Sequence, residues 1–507
     1  MPNYGLRVLV AALCSTLALG CQAFDVAHAR LDEERNEILL YGSSKDGQEP
    51  VRHSLGDVVI EGICEGSIEG SSYLYAYGDD GYLAQWQLFP NEGRLAFVRA
   101  IPGVVSVEDC IVGDAGLNLY VLEEAVGLWR FGAHPESEPG RELIARYAPA
   151  GSIERDADTV RISGNTLMVG ATRLPLPKAS APRKLTRPIV AASAETDPVQ
   201  YSGDAADDVA IWRNPQSPEA SLVLAADKRF GLRVYALSGA EVASIAAGRI
   251  NNIDLRTLPD HPEYAAIATA SNRTEKSISV FAISHSGNVT WLREAEIATG
   301  LDDPYGLCMY RGKDALFVFV NDKDGRFQQW QLTLRGMKVS ARLARTFSAY
   351  DQPEGCVGDD AHARLFFGVE DHGVMLIAAE SDAATDVTRI AEVDDNILFA
   401  DVEGMDIYQR DGEGFLVVSS QGDNSFAVYS RLPPYRYLGS FVIGSNANNT
   451  IDGVSETDGL AVHSGNFGSA FPLGLLVVQD GHNVSPSENQ NFKLIDWREV
   501  SDALELR

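Results

Sequence analysis

A twelve-residue stretch occurs twice in this chain. Tyr77-Gly-Asp-Asp-Gly-Tyr-Leu-Ala-Gln-Trp-Gln-Leu88 is matched by Asn321-Asp-Lys-Asp-Gly-Arg-Phe-Gln-Gln-Trp-Gln-Leu332, so that Trp86 corresponds to Trp330 and Cys64 to Cys308, 244 positions apart. Glu108-Asp-Cys-Ile likewise matches Glu354-Gly-Cys-Val, and Glu124 matches Glu370, at an offset of 246. Self-similarity of this kind marks a fold that repeats one small unit. The unit reads as β. Short apolar runs such as Ala315–Val320, Gly414–Ser419 and Gly474–Val478 alternate with Gly, Asp and Asn, and amphipathic helical stretches are scarce. An all-β sandwich or propeller fits that pattern, and radial repetition of four-stranded blades fits the repeat better.

The repeat also divides the chain. Residues 36–173 copy part of the C-terminal half and, at roughly 45–50 residues per blade, amount to about three blades of an incomplete module. Residues 174–194 carry Pro175, Pro177, Pro182 and Pro188 and read as an extended linker. Residues 195–507 form the main module. At the start, Arg7 followed by the apolar run Val8 to Leu19 reads as an export signal over residues 1–23, too short for a comfortable membrane span. Leu17-Ala-Leu-Gly-Cys21 is close to a lipoprotein cleavage site, so the expectation is either a lipid tether at Cys21 or plain cleavage nearby. The product is periplasmic, held on the outer membrane as a lipoprotein, or extracellular.

The formal net charge is -29, from 71 acidic and 42 basic residues. Such a surface repels nucleic acid and anionic membranes, which excludes both as partners apart from the possible N-terminal lipid anchor; the expected state is a monomer. Acidity serves solubility, or it serves hard cations that take six to eight oxygen ligands. Clustering favours the second. Asp204-Ala-Ala-Asp207-Asp208, Asn251-Asn252-Ile-Asp254, Glu354 with Asp359-Asp360, Glu370-Asp371, Asp401-Val-Glu403-Gly404 and Asp452-Gly-Val-Ser-Glu-Thr-Asp458-Gly459 all lie in the main module. Any one of these groups is ordinarily a solvated turn. Six of them, aimed inward, would repel unless cations sat between them. Strand alternation is expected to put Asp401 and Glu403 on one face.

Taken with Ser271-Asn-Arg273, Tyr305-Gly306, Ser419-Ser-Gln-Gly422 and Gln479-Asp-Gly-His-Asn483, these motifs resemble the β-propeller phytases, in the family's order across residues 195–507. The resemblance implies a six-bladed propeller with several calcium ions in its channel and at its rim. It also implies stepwise release of phosphate from phytate, myo-inositol hexakisphosphate, free or as its calcium complex. Carried over motif by motif, the metal ligands are Glu195, Asp207, Asp208, Asn251, Glu354, Glu370, Asp401, Glu403, Gln421, Asp452, Asp458, Asp480 and Asn483. The substrate-binding groups are Lys228, Arg229, Arg273, Tyr305 and Lys323, and the catalytic set is Asp207, Glu354, Glu403 and Lys323. Val209 stands where the family usually has Pro, a change that spares the backbone carbonyl.

The chemistry agrees with the resemblance. Substrate and protein are both anionic, so binding needs local charge inversion, which bound calcium and the Lys and Arg set would supply. The expected mechanism is direct attack by calcium-activated water, oriented by carboxylates. A histidine acid phosphatase is excluded, since Arg52-His53-Ser54 is not the required Arg-His-Gly. A non-catalytic calcium-binding propeller, or a phosphatase for other esters, remains the alternative.

In the first module Asp79 stands at the Lys323 position and Glu61 at that of Tyr305, and no counterpart of Lys228 or Arg273 exists. It is expected to be catalytically silent. Cys64, Cys110, Cys308 and Cys356 flank the matched segments. They are expected to pair as Cys64–Cys110 and Cys308–Cys356, the alternative being four buried thiols.

Overall fold

The computed structural model describes residues 26–42, 49–56, 58–68, 70–78, 81–113, 116–137, 140–177, 187–350, 352–410, 412–446 and 451–506. The export signal and Asp79 lie outside them.

Six antiparallel sheets, or blades, make up the main module, and six inner strands line its axis: Ala206–Trp212, Ile250–Thr257, Pro304–Arg311, Pro353–Asp359, Val402–Arg410 and Leu460–His463. Each is the start of a meander running outward, and the first and last inner strands are neighbours, so the ring closes. The closure has a clasp. Ala194–Glu195 pairs with Asn491–Asp496 as the outer strand of the last blade, so one blade is built from both ends of the module. Between successive blades lie six separate apolar cores, one per interface. This is why each strand reads as a run of Val, Ile, Phe and Ala: both faces of every blade are covered.

The inner strands share an irregularity that positions the site. In five of the six the pairing register shifts near the start, between Ala206 and Val209, Ile250 and Ile253, Pro304 and Leu307, Pro353 and Cys356, and Val402 and Met405. Each shift leaves two residues outside the ladder, a β-bulge that re-aims a side chain. The first residues of these pairs are Asp207, Asn251, Tyr305, Glu354 and Glu403. The second residue is Gly in three blades, because the next blade comes too close for a side chain. A Cβ on Gly306 would lie 1.9 Å from Glu354 O, and one on Gly355 would lie 2.3 Å from Glu403 O.

The first module has the same construction without closure. Among the described residues it has four sheets rather than the expected three blades: Val26–Ser54, Gly62–Ala100, Val107–Arg146 and Val160–Pro175, of three, four, four and three strands. Thinner end sheets explain the difference, and the strand Val26–Asp32 places the start ten residues before the expected one. Asp109 accepts the Val160 amide of the next sheet at 2.8 Å, as Asp208 accepts that of Ile253 at 3.0 Å, the same tie between neighbours in both modules.

Both expected disulfides are present. Cys64–Cys110 and Cys308–Cys356 each join the inner strands of adjacent sheets. At the linker, Thr172–Pro175 is an edge strand, where proline's missing N–H costs no ladder bond. Arg187 pairs with the buried Asp423 at 2.8 Å, and Ile189–Ala191 runs parallel to Tyr437–Gly444. The chain is therefore fixed to the propeller again from Arg187.

Candidate active site

The bulges bring carboxylates together at one end of the channel. Asp207, Glu354 and Asp458 each contribute an oxygen within 4.8 Å of the others, and Glu354, Glu370 and Glu403 form a second such trio. Glu354 belongs to both. Among the described residues these are the only groups of three such side chains able to hold a metal, and neither is in the first module. All five carboxylates are buried. Both oxygens of Asp207 and Oε2 of Glu403 have no hydrogen-bond partner, although the Lys228 ammonium stands 2.9 Å from Asp207 Oδ2. Buried carboxylates are normally satisfied. An all-oxygen, convergent and under-satisfied donor set fits a hard divalent cation such as calcium.

Crowding shifts the acids as expected for bare carboxylates. Burial, and then the charges of Glu354 and Asp401, push Glu370 up to about 7. Burial and Glu354 push Asp458 up to about 6 against the pull of Lys228. Glu403 is raised well above its ordinary range by burial, then by Glu354 and Asp458.

Three cations border these acids. Lys228 Nζ lies 3.1 Å from Asp458 Oδ2 and 3.0 Å from Asp204 Oδ1. Burial pulls this ammonium's pKa down, but Asp458, Glu354 and Asp204 outweigh it and hold the value above the usual lysine range, so Lys228 stays charged. Arg273 makes a two-pronged pair with Asp303, at 2.8 and 2.6 Å, and its third arm reaches Asn251 Oδ1 at 3.3 Å. Lys323 Nζ stands 4.0 Å from the centre of the Tyr305 ring, on which Arg273 also leans at 5.6 Å. Tyr305 donates its hydroxyl to Glu370 Oε1 at 3.3 Å. Burial, then Glu354 and Glu403, drive the phenol far above its ordinary range, so it remains a donor. Asn251 donates to Glu354 Oε1 at 2.7 Å, linking the Arg273 side to the acids.

Other expected residues lie elsewhere. Asp208, second in its bulge, spends its carboxylate on Asn252 and the Ile253 amide, which ties two blades. Arg229 is exposed beside Asp204. Asp401 is the exception: it stands just before the strand Val402–Arg410, and its charge reaches Glu370 and Glu354, while Glu403 sits in the bulge that follows. Gln421 opens a short 3-10 turn, and its backbone N–H bonds Asp401 O at 2.9 Å. Glu195, Asp452 and Asp480 gather instead around one buried ammonium, Lys493, with Glu195 at 2.8 Å and Asp480 at 3.0 Å. Asn483 is nearby and donates to Asn489 O. Lys493 was missed in the sequence, although Asn491-Phe-Lys493 alternates in a way that puts Asn491 and Lys493 on one face. Asp303, the anchor of Arg273, carried no motif to reveal it.

The chain is thus a closed six-bladed β-propeller with five convergent, buried carboxylates and three cationic side chains at one end of its channel. The Phytase family model matches residues 159–507. The chain is 36% identical over 327 residues to a 3-phytase of Bacillus subtilis (strain 168), a match covering 62% of this chain and 85% of that protein. A solved structure of a functionally unknown protein from Desulfotomaculum acetoxidans DSM 771 covers 81% of this chain and 94% of its own at 9% identity, with a TM-score of 0.30, too distant a likeness to bear on the fold. The chain belongs to the phytase family; it is a β-propeller phytase and hence a phosphate-ester hydrolase.

Proposed function

We propose that this protein hydrolyses phytate in a calcium-dependent reaction, after export to the periplasm or beyond. The observation that carries the calcium reading is the pair of carboxylate trios with buried, partnerless oxygens, flanked by Lys228, Arg273 and Lys323. Asp207, Glu354, Glu370, Glu403 and Asp458 would hold the ions. When bound, calcium would supply Lewis acidity toward phosphoryl oxygens and water.

The side chains have separate duties. Lys228, Arg273 and Lys323 offer donors to phosphate oxygens, and Arg273 presents a planar fork already oriented by Asp303. Tyr305 fixes Lys323 and Arg273 against its ring and keeps a hydrogen on Glu370. Glu403 Oε2 and Asp207 Oδ1, which no donor occupies, are placed to orient water and take its proton. No side chain is needed as a nucleophile, which suits direct attack by water. Phosphate release from phytate, measured in chelator and after calcium is restored, tests the reading. Equal rates in both conditions overturn calcium dependence, and release from simple phosphomonoesters but not phytate overturns the substrate.

A further inference from the structure

Glu136 belongs to the first module, in the turn after strand Gly127–Gly132, yet it is buried against the propeller. Its Oε1 accepts the Gly453 backbone N–H at 3.2 Å and its Oε2 accepts the Ser455 hydroxyl at 2.9 Å. The turn that presents it is braced from its own side. His134 Nδ1 accepts the Glu136 N–H at 3.1 Å, and Arg99 donates to Ser137 O at 2.8 Å and to Gly132 O at 2.9 Å.

The segment that Glu136 grips leads into the active site. Residues 452–459 carry no strand or helix, so scattered bonds rather than a ladder fix their course, Val454 N–H to Ile443 O at 3.0 Å and Asp458 N–H to Gln479 Oε1 at 2.9 Å among them. Asp452 at one end pairs with Lys493; Asp458 at the other belongs to the trio with Asp207 and Glu354 and pairs with Lys228. Within the propeller, Ser455 is held by its backbone, through Asp480 Oδ1 at 3.2 Å and the Gly481 N–H at 2.8 Å. The Gly453 amide and the Ser455 hydroxyl are satisfied from the other module. A second contact reinforces the first. Val484 inserts into the apolar core that holds Tyr73, Tyr75 and Phe131, and the Ser485 N–H bonds Val98 O at 3.1 Å.

We propose that Glu136 is a positioning residue for the catalytic site: through Gly453 and Ser455 it fixes the segment that ends in Asp458, and the first module thereby sets the cation affinity of the propeller. Its kinetic consequence rests on the phytase reading above; its binding consequence does not. Removing a direct hydrogen-bond partner of a metal ligand typically costs roughly 10- to 100-fold in metal affinity or activity; Glu136 acts through Ser455, three residues before Asp458, so the lower end of that range applies. The test uses the full chain, stripped of metal and titrated with terbium by luminescence and with calcium by calorimetry, beside phytate turnover at limiting and saturating calcium. Glu136→Ala is expected to raise the half-saturating cation concentration by roughly tenfold. Activity should fall in step at limiting calcium and recover at saturating calcium. Glu136→Gln, whose amide accepts from Gly453 and donates to the Ser455 hydroxyl, is expected to restore most of the affinity. Wild-type titration of Glu136→Ala overturns the proposal. So does a Gln variant as weak as Ala, because Glu136 would then act by charge. If Glu136→Ala does not fold, Ser455→Ala decides the same question, and a wild-type half-saturation in it overturns the proposal. If the wild type releases no phosphate from phytate, the phytase reading fails while the terbium titration still decides this one.

Discussion

Lys323 and Arg273, both proposed to hold phosphate, are supported differently. Arg273 is clamped by Asp303 and Asn251, whereas Lys323 rests on a ring face and keeps its ammonium hydrogens available. Losing one donor aimed at developing charge costs on the order of 100-fold in turnover. Lys323→Ala and Arg273→Ala are each expected to lose about that much in kcat with phytate, while circular dichroism and melting stay near wild type. Arg273→Lys should recover little, because a single ammonium cannot reproduce a planar fork; wild-type turnover in any of these variants removes the residue from the site. These two cations were legible in the sequence because they sit in motifs of the family's order. Asp303 and Lys493 were not, since an ion pair between distant residues leaves no local pattern. The Lys493 case is the more instructive. Glu195, Asp452 and Asp480 were grouped by motif with the channel carboxylates, and only the folded chain shows that their common neighbour is an ammonium. Charge spacing in a sequence tells that a group must be neutralised, not by what.

At the scale of the strand, the bulges are what gather polar side chains from successive blades at one end of the channel. The repeat and the apolar runs made the all-β fold readable, whereas the close backbone approach at the Gly after Tyr305, Glu354 and Glu403 came only from the fold. The register shifts themselves were invisible, because one extra residue in a strand does not alter its composition. The bulge re-aims Asp207, Asn251, Tyr305, Glu354 and Glu403 without changing the order of residue types along the chain. The disulfides act on the same strands. Cys308–Cys356 closes a sequence separation of 48 and joins two inner strands whose bulges carry Tyr305 and Glu354. A loop of that size removes denatured-state entropy worth up to ~4 kcal/mol, with measured values typically 2–4. The double variant Cys308→Ser, Cys356→Ser is expected to unfold at lower denaturant with a stability loss of about 2–4 kcal/mol. Unchanged chemical denaturation under oxidising conditions would count against a stabilising role.

Across the whole molecule, two modules of one architecture have diverged in charge. The first keeps Glu108 and Glu61 where the propeller has Glu354 and Tyr305, and it places no carboxylate trio among its described residues. Residues 26–177 alone are expected to release no phosphate from phytate, and any release above background would end the claim of silence. The propeller, in contrast, concentrates acid, and this gives the molecule a pH dependence with a definite sign. Without cations, Glu370 titrates at about 7 and Asp458 at about 6 in the folded chain, and Glu403 is raised as well. Unfolded, such groups titrate near 4. Between these values the folded state binds more protons than the unfolded state, so the free energy of unfolding falls as pH rises through the window. Under the proposed calcium reading, protons do part of what the ions would do. Calcium would bind the deprotonated form and only the folded chain, so it would add stability by mass action and add most where the protons have left. In excess chelator the melting temperature is therefore expected to drop steadily from about pH 5 to about pH 7.5. In calcium the drop should vanish or reverse, and calcium affinity measured by calorimetry should rise over the same interval. Glu370→Gln removes the higher of the Glu370 and Asp458 titrations, so in chelator its melting curve should depend less on pH than the wild type's. A chelated protein whose melting temperature rises with pH across that window would show that these carboxylates are not held protonated in the folded state, and the trios would then have to be neutralised by Lys228 and its neighbours alone.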